Sequence, residues 1–105
     1  PARVQRYLAA GKYNIVMYYS PYDGPSMSYA PRMMQLPQVN QNIAVRTVNI
    51  NRPEIQGVDL ESQIAVDMQL RTLPYFVIFD PRGNMRAKGR AAFEQVNQFM
   101  RELPN

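Results

Sequence analysis

The sequence predicts an α/β fold, a four-stranded mixed sheet with helices on both faces, in the order α-β-α-β-α-β-β-α. Three observations predict it. Two runs, Tyr13 to Tyr19 and Tyr75 to Phe79, are β-branched and aromatic and almost continuously apolar, as strands covered on both faces are. The segments between strands carry apolar residues at helical spacing and are too long for hairpins, so the first two strands should be parallel. Asp80-Pro81-Arg82-Gly83-Asn84 is a tight-turn sequence, so the last two strands should be antiparallel. A mixed sheet between helical layers follows from these three.

The elements can be justified in order. Val4, Tyr7 and Leu8 stand at i, i+3 and i+4, which reads as a short N-terminal helix over residues 1–11, ended near Gly11. Tyr13 to Tyr19 is the central strand. A helix is expected from about Gly24 to Leu36, with Met27, Ala30, Met33 and Met34 as its apolar positions. Pro31 inside it has no N–H for the preceding turn and should kink it. Ile43 to Ile50 alternates weakly and reads as the second strand, and Asn51 to Val58, with Pro53 and Gly57, reads as a loop. Asp59 is placed to cap a helix from Leu60 to about Gln69 that buries Ile64, Ala65 and Met68. Tyr75 to Phe79 is the third strand. Met85 to Lys88 is a charged edge strand. Phe93, Val96, Phe99, Met100 and Leu103 form one face of a final helix.

Bulk properties narrow the function. A length of 105 residues suits a single domain, 1–105, with residues 12–103 as its core, and 46% apolar content argues against disorder. The absence of cysteine and histidine excludes disulfides, thiolate chemistry, zinc fingers and a histidine base. It leaves the compartment open. The net charge of +4, from 12 basic and 8 acidic residues, is spread without a block of like charge, which reads as solubility and not as a nucleic-acid surface. No apolar stretch reaches the roughly 18 residues of a membrane span. The chain opens on Pro1 with no basic-then-apolar leader and reads as a processed or trimmed product. Met33, Met34, Met68 and Met100 lie on helical apolar faces, so methionine is read as core filler in preference to a soft-metal site. No cofactor is expected.

The chemistry-bearing segment is Tyr22-Asp23-Gly24-Pro25-Ser26, directly after the first apolar run and followed by Ala30-Pro31. Leu73-Pro74 precedes a later apolar strand, Arg82-Gly83-Asn84 makes a turn, and Gly89 follows the edge strand. In this order and spacing, over roughly Lys12 to Leu103, the chain resembles the thioredoxin family. The resemblance implies a thioredoxin-like three-layer fold and descent from thiol-disulfide oxidoreductases. It also implies a cis bond before Pro74 and a groove whose backbone pairs with an extended partner peptide. It places Asp23 and Ser26 where the family carries its two cysteines, Met17 at the place of a buried carboxylate and Thr47 at the place of a lysine. An engineered trap would change one or both cysteines and leave the rest, so four altered positions point to natural loss. Asp23, Gly24, Pro25 and Ser26 are then the remnant of a redox motif, and no residue is catalytic.

The residues themselves admit plainer readings. Asp23 is an N-cap for the following helix, or else a ligand-facing charge or general base that would favour basic or polar ligands. Ser26 has no histidine or lysine within sequence reach to activate it. Gly24 and Pro25 suit a tight helix start. Pro74 is cis under the resemblance and a trans, strand-starting proline otherwise. Tyr22, Tyr29 and Tyr75 form an aromatic rim or lie in the core. The expected function is a redox-inactive domain binding a peptide or protein partner through Tyr22, Asp23, Leu73, Pro74 and Tyr75. The alternatives are an oxidoreductase whose cysteines are substituted in this chain, or a structural domain of a larger protein. Partner identity and oligomeric state stay open, as does compartment, for which the resemblance leans toward the bacterial periplasm.

Overall fold

Four strands, β1 (Tyr13–Tyr19), β2 (Ile43–Asn49), β3 (Tyr75–Phe79) and β4 (Met85–Lys88), form one sheet in the order β2-β1-β3-β4. The structure is a computed structural model, and residues 4–104 are described. β1 pairs parallel with β2 and antiparallel with β3, and β3 pairs antiparallel with β4. The expected mixed sheet is therefore present, with the hairpin closed by Asp80–Asn84, where the Asp80 N–H donates to the Asn84 carbonyl at 2.8 Å.

Side chains alternate across the central strands and divide the core into two layers. Ile15 and Met17 of β1 join Phe76 and Ile78 of β3 on one face. There they pack against helices α1 (Gly24–Met33), α2 (Leu36–Val39) and α4 (Gly89–Arg101). Val16, Tyr18, Val77 and Phe79 point the other way, against Ile50, Leu70 and Ala65 of α3 (Gln63–Asp67). Both faces of β1 and β3 are covered, which is why these two strands read as unbroken apolar runs.

Four expected elements differ. Part of the N-terminal helix, residues 1–3, lies outside the described residues, and Val4–Tyr7 is a single 3-10 turn. One turn is too short to sustain an α-helix. The buried Asn14 side chain orders the backbone after it: the Ala9 N–H donates to Asn14 Oδ1 at 2.8 Å, and Asn14 Nδ2 donates to the Ala9 and Lys12 carbonyls at 2.9 Å. The helix expected from Gly24 to Leu36 ends at Met33 and restarts as α2. Pro37 lacks the N–H that would continue the ladder, and it is tolerated in the first turn of α2. Met33 is buried, whereas Met27 and Met34 are 46% and 53% exposed and are not core filler. In α4 the buried stripe is Ala92, Val96 and Met100, and Phe93 and Phe99 flank it.

The fourth difference is α3, which spans five residues and is capped by Ser62, whose Oγ accepts from the Ala65 N–H at 3.3 Å. Asp59 does not cap it, because its carboxylate is already engaged. Arg52 donates to it through Nε at 2.9 Å, Nη2 at 3.1 Å and its backbone N–H at 3.0 Å, and the Glu61 N–H donates at 3.2 Å. These bonds, the side-chain bond from Arg52 first, hold Asp59 well below the usual carboxylate range. No helix among the described residues is long and apolar enough to cross a membrane.

Candidate functional site

The antiparallel pairing of β1 with β3 sets Tyr18 opposite Tyr75. The segment leaving β1 and the segment delivering β3 therefore emerge at the same end of the sheet. β2 runs parallel to β1, and the Ile50 N–H donates to the Tyr19 carbonyl at 2.9 Å. The Asn51–Asp59 loop therefore starts at that end as well. Three loops therefore begin or end at that end of the sheet.

The first loop carries Tyr22–Ser26. Ser20 is buried and ties it down: its Oγ accepts from the Tyr22 N–H at 3.2 Å and its carbonyl from the Asp23 N–H at 3.1 Å. Asp23 then takes an extended conformation at the N-cap of α1, with Pro25 in the first turn, where no N–H is needed. Asp23 Oδ2 accepts from the Ser26 N–H and from Ser26 Oγ, each at 2.8 Å. Ser26 is fully buried. Its hydroxyl proton is committed to a carboxylate and its oxygen is withdrawn from solvent, so it is not placed as a nucleophile. Gly24 and Pro25 are exposed. Met17 and Thr47 face each other across the β1–β2 ladder. The former is wholly buried and apolar, and the latter is exposed.

The second loop delivers Thr72-Leu73-Pro74 to β3, and its Leu73–Pro74 peptide bond is cis. Pro74 is buried, and Leu73 and Tyr75 are half-buried. Together with Thr72, Gly89, Arg90 and Phe93 they enclose a groove of about 410 Å³. Gly89 lets the chain turn from β4 into α4 at a φ of 61°, close against Tyr75. A Cβ there would sit 3.6 Å from the Tyr75 hydroxyl, and its backbone would be strained.

The predicted site residues divide accordingly. Leu73, Pro74 and Tyr75 line the groove, and Tyr22 and Asp23 are not in its walls. Tyr22 is 52% exposed at the same end of the sheet. Tyr29 is no rim residue. It packs on Phe76 and Phe93, with ring centroids 5.7 Å apart in each case, and its hydroxyl donates to Asn97 Oδ1 at 2.8 Å. Tyr75 meets Tyr18 edge-on at 6.3 Å, and burial, then the proximity of Tyr75, pushes the Tyr18 phenol up. Sequence reasoning missed Gly89, Arg90 and Phe93 as groove residues. The available signal was Phe93 itself: it stands one residue from the Ala92–Val96–Met100 stripe, hence about 100° around the helix from the core.

Arg90 is the charged group of the groove wall. Its contact with Glu94, 3.6 Å between two strongly exposed side chains, leaves it free to engage a ligand. Among the described residues no cluster of acidic, cysteine or histidine side chains could hold a metal ion.

No protein-family model and no curated protein matches this sequence. Solved structures do match it in fold. Thioredoxin f2 of Chlamydomonas reinhardtii aligns with a TM-score of 0.62 at 19% identity, covering 96% of this chain and 90% of that one. Mitochondrial thioredoxin 3 of Saccharomyces cerevisiae gives 0.61 at 17% identity over 94% and 86%. The thioredoxin of Fasciola hepatica gives 0.59 at 15% over 90% and 84%. At such identities the likeness establishes the architecture alone: this cysteine-free chain has the fold of thioredoxins.

Proposed function

We propose that this chain is a single, redox-inactive thioredoxin-like domain that binds an extended segment of a peptide or protein partner in the groove beside Pro74. Asp23 and Ser26 stand where redox-active relatives carry their cysteines, and Asp23 has become the cap of α1. The observation that carries the reading is the groove: about 410 Å³, walled chiefly by Leu73, Pro74, Tyr75 and Phe93, at the loop end of the sheet. An apolar cleft with one charged group at its wall is the form that recognition sites take. Thiol exchange is excluded on chemical grounds, since the chain holds no sulfur nucleophile.

Arg90 changes the expected selectivity. Asp23 alone would favour basic ligands, but it lies outside the groove wall and Arg90 lies within it. The partner segment should therefore carry an apolar side chain for the Leu73–Phe93 cleft and an acidic group for Arg90. Without a mixed disulfide to hold the complex, affinity should be on the order of micromolar or weaker.

The test is a screen of random decapeptides on the immobilised chain, repeated with Arg90→Ala and Phe93→Ala. Selected peptides should be acidic and apolar, and both variants should weaken them. Peptides that bind the two variants as well as the parent chain would remove the groove from the account.

A further inference from the structure

The opposite end of the sheet holds a second and larger cavity, which the groove reading does not use. It measures about 540 Å³, within the range of small-molecule sites. Tyr13 at the start of β1, Ile43 at the start of β2 and Ile78 near the end of β3 give it a floor, and the flank of α4 carrying Gln95 and Phe99 closes the other side. Tyr13 and Ile43 are direct partners in the β1–β2 ladder, so the floor is fixed by the sheet and not by a loop.

Its polarity is one-sided. Arg86 of β4 stands at the cavity with its guanidinium 5.9 Å from the centre of the Tyr13 ring. That contact orients the fork while leaving its N–H edges free. Arg86 makes no ion pair among the described residues, whose salt bridges are Arg52–Asp59 and Arg90–Glu94. The carboxamides of Asn42 and Gln95 add neutral hydrogen-bonding capacity, and no acidic side chain lines the cavity. A smaller pocket of about 150 Å³ shares Asn40, Ile43 and Phe99 with it, runs toward Leu36 and Val39, and has Glu102 in its wall. The cation and the acid therefore line two adjoining pockets, with Asn40, Ile43 and Phe99 common to both.

We propose that the larger cavity is a binding site for a small carboxylic acid with an apolar body, held by its carboxylate at Arg86 and by its body on Ile43, Ile78 and Phe99. Glu102, in the wall of the adjoining pocket, disfavours the reversed orientation, in which a carboxylate would approach a like charge. Arg86 supplies a planar fork that fits a carboxylate with two parallel bonds. The site shares no residue with the Pro74 groove, so it stands or falls separately from the proposed function.

The test is an NMR titration with 4-phenylbutyrate, set against the neutral 4-phenylbutanamide. Saturable shifts at Tyr13, Ile43, Ile78 and Phe99, stronger for the acid than for the amide, are expected. Arg86→Gln should weaken the acid about tenfold or more, since a charge-assisted bond is lost. Ala91→Trp, an exposed position on the α4 wall, should block the cavity while leaving the spectrum folded. Three results would overturn the site: no saturable shift up to about 10 mM, equal binding of acid and amide, or shifts confined to the Leu73–Phe93 groove.

Discussion

Asp23 puts a carboxylate at the start of α1. The start of a helix offers unpaired N–H groups, which donate to an anion such as a carboxylate. Here the carboxylate satisfies the Ser26 N–H and the buried Ser26 hydroxyl at once. Asp23→Ala should therefore lower stability by about 1–2 kcal/mol, the cap plus a buried hydroxyl left without its acceptor. Chemical denaturation would show this as a lower midpoint, and an unchanged midpoint would contradict the cap. Gln69 is the converse case. It ends α3 in the left-handed region at φ 55°, where the Leu70 N–H can reach back to the Ala65 carbonyl at 2.9 Å. A side chain is costly there, so Gln69→Gly should raise stability by about 0.5–1 kcal/mol. Thermal unfolding several degrees higher, about 4–8 °C per kcal/mol, would be the readout. Asp23 was legible in the sequence because its bonds span three residues. Gln69 was not, because its conformation depends on where α3 stops.

Among the elements, the Asn51–Asp59 loop departs most from a sequence reading. Its residues look like an ordinary turn followed by a helix cap. In the structure, Asn51 Nδ2 donates to the Gly57 carbonyl at 2.7 Å, and Arg52 and Asp59 close the loop with a forked ion pair. A pairing between residues seven apart in an irregular segment has no periodicity to betray it. In α1 the apolar spacing continues past Met33, but Pro37 has no N–H to extend the ladder, and the helix breaks there. The ion pair has a pH consequence. Asp59 titrates below its unfolded value, so its contribution to stability is complete above about pH 4 and is lost as the pH falls further. Acid unfolding of Arg52→Gln should consequently show a shallower fall in stability below about pH 4 than the parent chain does. Parallel pH profiles for the two proteins would mean that another carboxylate governs the acid limb.

At the scale of the whole molecule, the sequence order of apolar runs and helical segments was enough to specify the sheet, because β1 and β3 are buried on both faces and admit little else. That Tyr22–Ser26 and Leu73–Tyr75 come to one end of the sheet was also legible. The groove wall contributed by α4 was not, since Arg90 and Phe93 reach it only once α4 is packed across β3. Two functional consequences follow. A cysteine-free chain should not accelerate insulin reduction by dithiothreitol above the protein-free rate, and acceleration by a preparation cleared of contaminants would require a chemistry that Asp23 and Ser26 do not offer. The central proposal is that this chain binds a partner segment without thiol chemistry, and its most direct test is NMR shift mapping with an acidic, apolar peptide from the decapeptide screen. The account predicts saturable shifts concentrated at Leu73–Tyr75 and Gly89–Phe93, with the α3 face silent. Shifts spread elsewhere while Leu73–Tyr75 stays unperturbed would contradict it, and would leave that end of the sheet as scaffold alone.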